Sequence, residues 1–178
     1  MFPLDQQLFS LIHDLAGKSR LLDLFMIFLA DYSGYFIILI FILLMLTEKP
    51  ENRILKFLFI AFALILSRGL FTQILRFFID QPRPFITLAF KPLLAHESVN
   101  GFPSGHMAFF FVFVFFVFSM KNRSWGLVFS VATLLMGFAR VFCGVHWPSD
   151  IVGGILVAFI SVFITSLLFP KLQKNNQP

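Results

Sequence analysis

GHMAFFFVFVFFVFSM, residues 105–120, is the stretch whose reading decides the fold. Its Phe–Val alternation has the period of two that marks a β-strand in a soluble protein. Both alternating faces are apolar, however, and long apolar runs lie on either side of it. A lone strand in hydrocarbon leaves its backbone N–H and C=O groups without partners, whereas a helix satisfies them within the segment. The stretch therefore reads as a membrane helix, and the chain as an all-α polytopic bundle.

Composition agrees. Hydrophobic residues make up 58% of the 178 and charged residues 13%, against about 45–50% and about 25% in soluble proteins. Twenty-eight phenylalanines exceed what a soluble domain of this size can bury, but lipid solvates them. One integral membrane domain is expected over 1–178: an interfacial helix at 1–20, a helical core at 21–170 and a polar tail at 171–178. The opening MFPLD has neither a basic n-region nor a small-residue cleavage site, so no removable signal peptide is expected. The single cysteine, Cys143, excludes an internal disulfide and reads as a small apolar filler. The net charge of +5 divides between membrane-flanking loops and one polar constellation, so nucleic acid is set aside as a partner.

Outward from residues 105–120, four further spans are expected. Asp23 to Leu46 is interrupted by Asp31-Tyr32-Ser33-Gly34; the others run from Ile54 to Ile79, Trp125 to Cys143 and Ile151 to Phe169. At about 1.5 Å per residue, Asp23 to Leu46 is long enough to cross a hydrocarbon core of about 30 Å. Ahead of them Leu4, Leu8, Leu11, Ile12 and Leu15 recur at helical spacing, predicting an amphipathic helix lying at the interface with His13 on a solvated face. Five to six membrane helices result, counting this one. The aromatics of residues 105–120 are expected to face lipid and neighbouring helices. Asp31 and Arg68 fall at similar depth and are expected to pair, because an unpaired charge there is costly.

In a five-span topology Lys49, Arg53, Lys56, Lys121, Arg123, Lys171 and Lys174 share one side, the cytoplasmic one by the positive-inside rule. The connections carrying Arg83, His106 and His146 then share the outer side of a cytoplasmic membrane. Three clusters meet there: Arg76 to Pro84, Pro103 to His106, and Arg140 to Asp150. Arginines that converge repel one another unless an anion lies between them, and the guanidinium fork suits phosphate oxygens. Ser104-Gly105 opens a helix, whose free N–H groups also favour phosphate. Two histidines fit a two-step transfer in which one attacks and the other protonates the departing oxygen. Asp150 can hold one ring nitrogen of His146 so that the other faces phosphorus. The sequence offers no cysteine or carboxylate set for a metal, so no cofactor is expected, and the arginines are left to stabilise developing charge.

These residues resemble the membrane branch of the type 2 phosphatidic acid phosphatase superfamily, with its motifs K-x6-R-P, P-S-G-H and S-R-x5-H-x3-D. Here they read Arg76-x6-Arg83-Pro84, Pro103-Ser104-Gly105-His106 and Ala139-Arg140-x5-His146-x3-Asp150. The resemblance implies a haloperoxidase-like helical core, His146 as nucleophile, His106 as general acid and Asp150 as its orienting partner. It implies Arg76, Arg83, Ser104, Gly105 and Arg140 as phosphate ligands, with no metal. Arg76 stands where the family has lysine, and Ala139 where it has serine. The amphipathic start and the His96-Glu97 loop resemble bacterial undecaprenyl-diphosphate phosphatases of the bacitracin-resistance type. That resemblance implies a polyprenyl diphosphate substrate and recycling of the carrier lipid. Two alternatives stay open: a phosphatidylglycerophosphate or phosphatidate phosphatase, and a lipid-phosphate transporter or binding protein that does not hydrolyse.

Overall fold

The computed structural model describes residues 3–95, 100–120 and 122–170, and His96, Glu97, Lys121, Lys171 and Lys174 fall outside them. Among the described residues the chain is helical, with a lone antiparallel bridge between Pro82 and Asn100 and no strand. The helices are α1 (Pro3–His13), α2 (Arg20–Asp31), α3 (Ser33–Leu46), α4 (Pro50–Leu64), α5 (Thr72–Phe78), α6 (Pro84–Thr87), α7 (Gly105–Ser119), α8 (Arg123–Phe142) and α9 (Pro148–Leu168). A π-helical segment, Ile65–Phe71, joins α4 to α5.

Local chemistry sets the breaks. Gly17, at φ +76°, turns the chain after α1, and Ser19 caps α2 through its hydroxyl. Between α3 and α4 the Arg53 guanidinium donates to the carbonyl of Leu46, which the end of α3 leaves without an intrahelical partner, and to that of Glu48 in the turn that follows. Pro84 and Pro148 stand in the first turns of α6 and α9, where a missing N–H costs nothing. The π segment has its own clasp: Thr72 Oγ1 donates to the Ser67 carbonyl five residues back at 2.8 Å, and Ser67 Oγ to the Ala108 carbonyl of α7 at 2.6 Å. Such insertions rotate the following residues relative to a regular helix and recur at functional sites.

Asn52–Phe78, α8 and α9 are each long and apolar enough to cross a membrane. The expected first span is two helices, α2 and α3, bent by 45° at Tyr32. Helix α7, at 15 residues, is about 22 Å long and shorter than a hydrocarbon core. It is the centre of the bundle. Met107, Ala108, Val112, Val114, Phe116 and Val117 are buried against α3, α4, α8 and α9. Of its aromatics, Phe110, Phe111, Phe113 and Phe116 are buried against neighbouring helices, Phe109 and Phe115 are half-buried and Phe118 is exposed, so the expected mixture is weighted toward helix contacts, as for a helix apolar on all sides at the core of a bundle. Glycines let the backbones close in. A Cβ at Gly154 of α9 would lie 2.6 Å from the Ser104 carbonyl and 3.0 Å from the Ala108 nitrogen of α7. Contact this tight supplies the dispersion that holds helices together where lipid removes the hydrophobic drive.

Helix α1 lies across the ends of α8 and α9. Its Leu4, Leu8 and Leu11, and Leu15 just after it, point outward, while Asp5 and Phe9 are buried against the bundle. His13 is not the solvated residue expected. Its Nδ1–H donates to the Phe142 carbonyl at 2.8 Å, and its ring packs between Phe9 and Phe90. The expected Asp31–Arg68 pair does not form: Asp31 lies 3.7 Å from Arg140 instead, and the Arg68 guanidinium packs on Gly105.

Candidate active site

Five elements converge at one end of the bundle. Arg76 comes from the last turn of α5, Arg83 precedes α6, and Ser104, Gly105 and His106 open α7. Arg140 ends α8, His146 sits in the connection that follows, and Asp150 lies in the first turn of α9. Gly144, at φ +83°, makes the turn between Arg140 and His146; a Cβ there would also strike Phe90. The Ser104 N–H donates to the Asp150 carbonyl at 2.9 Å and ties the start of α7 to that of α9. All eight sequence-predicted residues therefore meet.

His146 and Asp150 form the buried centre. Asp150 Oδ2 lies 3.0 Å from His146 Nδ1 and accepts from the Trp147 N–H at 2.9 Å. The second contact is half of a capping box that fixes the carboxylate at the start of α9. With Nδ1 held as the donor, Nε2 keeps its lone pair. Arg83 Nη1 stands 3.2 Å from that Nε2 and is anchored by donation to the Val145 carbonyl at 2.6 Å. Burial, and next the nearby Arg140 charge, lower the Arg83 guanidinium to about 10, with Asp150 pulling the other way. It remains cationic at neutral pH. On the far side Arg140 Nη1 lies 3.3 Å from His106 Nε2 and donates to the Ala30 carbonyl at 3.1 Å.

Among the described residues, several polar atoms here are buried without a partner: Ser104 Oγ, Arg76 Nε and Arg140 Nε. Buried donors left this way are costly unless a ligand takes them. Ser104 occupies the cap position of α7 but makes no side-chain cap bond, which leaves its hydroxyl available. Among the described residues no group of three His, Cys, Asp or Glu side chains is arranged as a metal-ligand set. Cys143 is buried with Ala30, Ala139 and Phe142, as expected of a filler. That cluster also accounts for Ala139, where the motif has serine: its methyl packs in the apolar seam between α2 and α8.

Three residues escaped the sequence reading. Gln81 Nε2 lies 3.2 Å from Asp150 Oδ1 and 3.1 Å from Ser149 Oγ. Asp5 accepts from Ser149 through both the backbone N–H at 2.9 Å and the hydroxyl at 2.6 Å. A chain of hydrogen bonds thus runs from α1 through Ser149 and Gln81 to Asp150. No spacing rule connects Asp5 to residue 149, so only the docking of α1 reveals it. An apolar groove of about 470 Å³, lined by Val131, Leu134, Phe138 and Ile151 among others, lies on the outer side of α8 and α9 and contains none of the polar constellation.

The model of the PAP2 superfamily matches residues 56–174. The bacitracin transport permease protein BcrC of Bacillus licheniformis is 31% identical over 171 residues, covering 95% of this chain and 82% of that protein. The undecaprenyl-diphosphatase BcrC of Bacillus subtilis is 29% identical over 164 residues, covering 90% and 82%. Among solved structures, that of Aquifex aeolicus LpxE superposes with a TM-score of 0.75 at 28% identity, over 92% of this chain and 95% of that one.

Proposed function

The chain belongs to the PAP2 superfamily as a multi-pass membrane lipid phosphatase, and from that premise we propose that it converts undecaprenyl diphosphate to undecaprenyl phosphate through a phosphohistidine on His146. The observation that carries the reading is the pairing of His146 Nδ1 with Asp150 at 3.0 Å while Arg83 flanks Nε2 at 3.2 Å. It supports a neutral imidazole whose Nε2 lone pair is directed at a guanidinium, where a phosphoryl group bound by that cation would meet it.

In the first step His146 Nε2 attacks the terminal phosphorus and the bridging P–O bond breaks. His106 gives its proton to the departing oxygen, and undecaprenyl phosphate leaves. Asp150 stabilises the positive charge that grows on the His146 ring. Arg83, Arg140 and Arg76, with Ser104 and the Gly105 N–H, hold the phosphoryl oxygens and stabilise charge in the transition state. In the second step His106 takes a proton from water, the water oxygen attacks phosphorus, and the N–P bond breaks to release inorganic phosphate. No metal enters either step.

The substrate assignment draws on the relative named an undecaprenyl-diphosphatase, which aligns over most of this chain. A transporter or binding protein would have use for the arginines but none for a histidine oriented by a buried carboxylate. We place the protein in the cytoplasmic membrane with the site outward, because Lys49, Arg53 and Arg123 lie at the opposite helix ends. Purified protein in detergent with EDTA is expected to release phosphate from undecaprenyl diphosphate, and His146→Ala to abolish release. Equal release by the variant would refute the histidine mechanism, and dependence on added metal would refute its metal independence.

A further inference from the structure

We propose that Arg68 is a specificity-determining residue that binds the second, leaving phosphate of a diphosphate substrate, so that the site discriminates diphosphates from phosphate monoesters. The inference rests on the lipid phosphatase reading above and adds a subsite to it. Arg68 lies within a membrane-spanning helix, where an ionised side chain is costly and marks a functional position by default. None of the ion pairs among the described residues includes it, and its guanidinium makes no side-chain hydrogen bond there.

Its position is specific. A Cβ at Gly105 would lie 2.7 Å from Arg68 Nε, 2.9 Å from Cζ and 3.2 Å from Nη2, so the guanidinium lies flat on the first residue of α7. A larger residue at 105 would push the guanidinium off this position. The π segment carries Arg68, and its clasp to α7 through Ser67 holds that backbone against the start of the site. Arg76 is near enough to feel the Arg68 charge and donates to the Pro103 carbonyl at 3.3 Å. Ser104 Oγ, fully buried and without a partner among the described residues, lies at the same helix start.

The two halves of the site differ in what they can hold. Arg83 flanks His146, the nucleophile, whereas Arg68 flanks the residue next to His106, the proton donor to the leaving group. The leaving group of a diphosphate is a phosphate monoester and carries negative charge beside His106. The leaving group of a phosphate monoester is an alcohol, neutral once protonated, with nothing for a guanidinium to neutralise. A cation on this side therefore favours diphosphates selectively.

The test compares two substrates with the same tail, farnesyl diphosphate and farnesyl monophosphate, in wild-type protein, Arg68→Gln and Arg68→Lys. In Arg68→Gln, kcat/KM for the diphosphate should fall about 10- to 100-fold, the worth of one charge-assisted hydrogen bond, and that for the monophosphate by less than about threefold. Arg68→Lys should recover part of the loss. Equal losses on both substrates, or no loss on the diphosphate, would overturn the subsite while leaving the phosphatase reading intact. A wild-type protein that hydrolyses neither substrate overturns both. If the variants do not fold, inorganic pyrophosphate and orthophosphate are compared as competitive inhibitors of the wild type. Pyrophosphate should bind about tenfold more tightly, and equal affinities would overturn the subsite.

Discussion

Asp150→Asn keeps the shape of the side chain and changes only its charge and donor pattern. The native carboxylate accepts from His146 Nδ1 and the Trp147 N–H on Oδ2, and from Gln81 Nε2 on Oδ1. An asparagine must turn its amide nitrogen toward one of these sides. With the NH2 toward His146, the ring must accept at Nδ1, its proton moves to Nε2, and the nucleophilic lone pair is lost. With the NH2 toward Gln81, two donors face each other and the charge that stabilises the imidazolium is still missing. The corresponding tautomer defect in a hydrolytic triad costs about 10⁴ in kcat, so we expect a fall of about 10³–10⁴, or about 4–5.5 kcal/mol of transition-state stabilisation. The phosphate ligands are untouched, so KM should stay within about threefold of wild type. Phosphate release from undecaprenyl diphosphate, measured under saturating substrate, reads both quantities. A kcat within tenfold of wild type, in a variant that remains folded, would refute the assignment of Asp150 as the orienting partner.

Two further substitutions probe the scaffold. Gly154→Ala forces a methyl against the Ser104 carbonyl and Ala108 nitrogen, which cannot swing away as a side-chain tip can. It should destabilise the bundle by about 1–3 kcal/mol, seen as a lower melting temperature in detergent, and lower activity by parting α7 from α9; an unchanged melting temperature would contradict the close approach. Asp5→Ala removes both acceptors from Ser149 and should lower kcat without raising KM, with α1 more readily cleaved by protease. Full activity would show that the α1-to-Asp150 hydrogen-bond chain does not support catalysis.

The site was legible because its chemistry is written in short spacings. His146 and Asp150 are four residues apart across the start of a helix, and capping geometry brings them together whatever the rest of the chain does. The bundle was legible from the apolar runs. What the sequence did not disclose is rotation about each helix axis. Residues 105–120 are apolar on every face, so composition could not distinguish a lipid-facing span from the central helix that α7 is. Arg68 and Asp31 were read at comparable depth, but depth does not say which way each points: Asp31 lies beside Arg140 and Arg68 against Gly105. In α1 the leucine stripe points outward and Asp5 inward, the reverse of a soluble amphipathic helix, because lipid accepts the leucines while Ser149 gives the carboxylate its hydrogen bonds.

The central claim is a covalent intermediate on His146, and trapping tests it most directly. Protein mixed with undecaprenyl diphosphate labelled in its terminal phosphate, then quenched in alkali within one turnover, should carry label on His146 that is stable to base and lost in acid. His106→Ala should still carry it after slower formation, and His146→Ala should carry none. Turnover with no labelled protein at any quench time, or with label on a residue other than His146, would contradict the account.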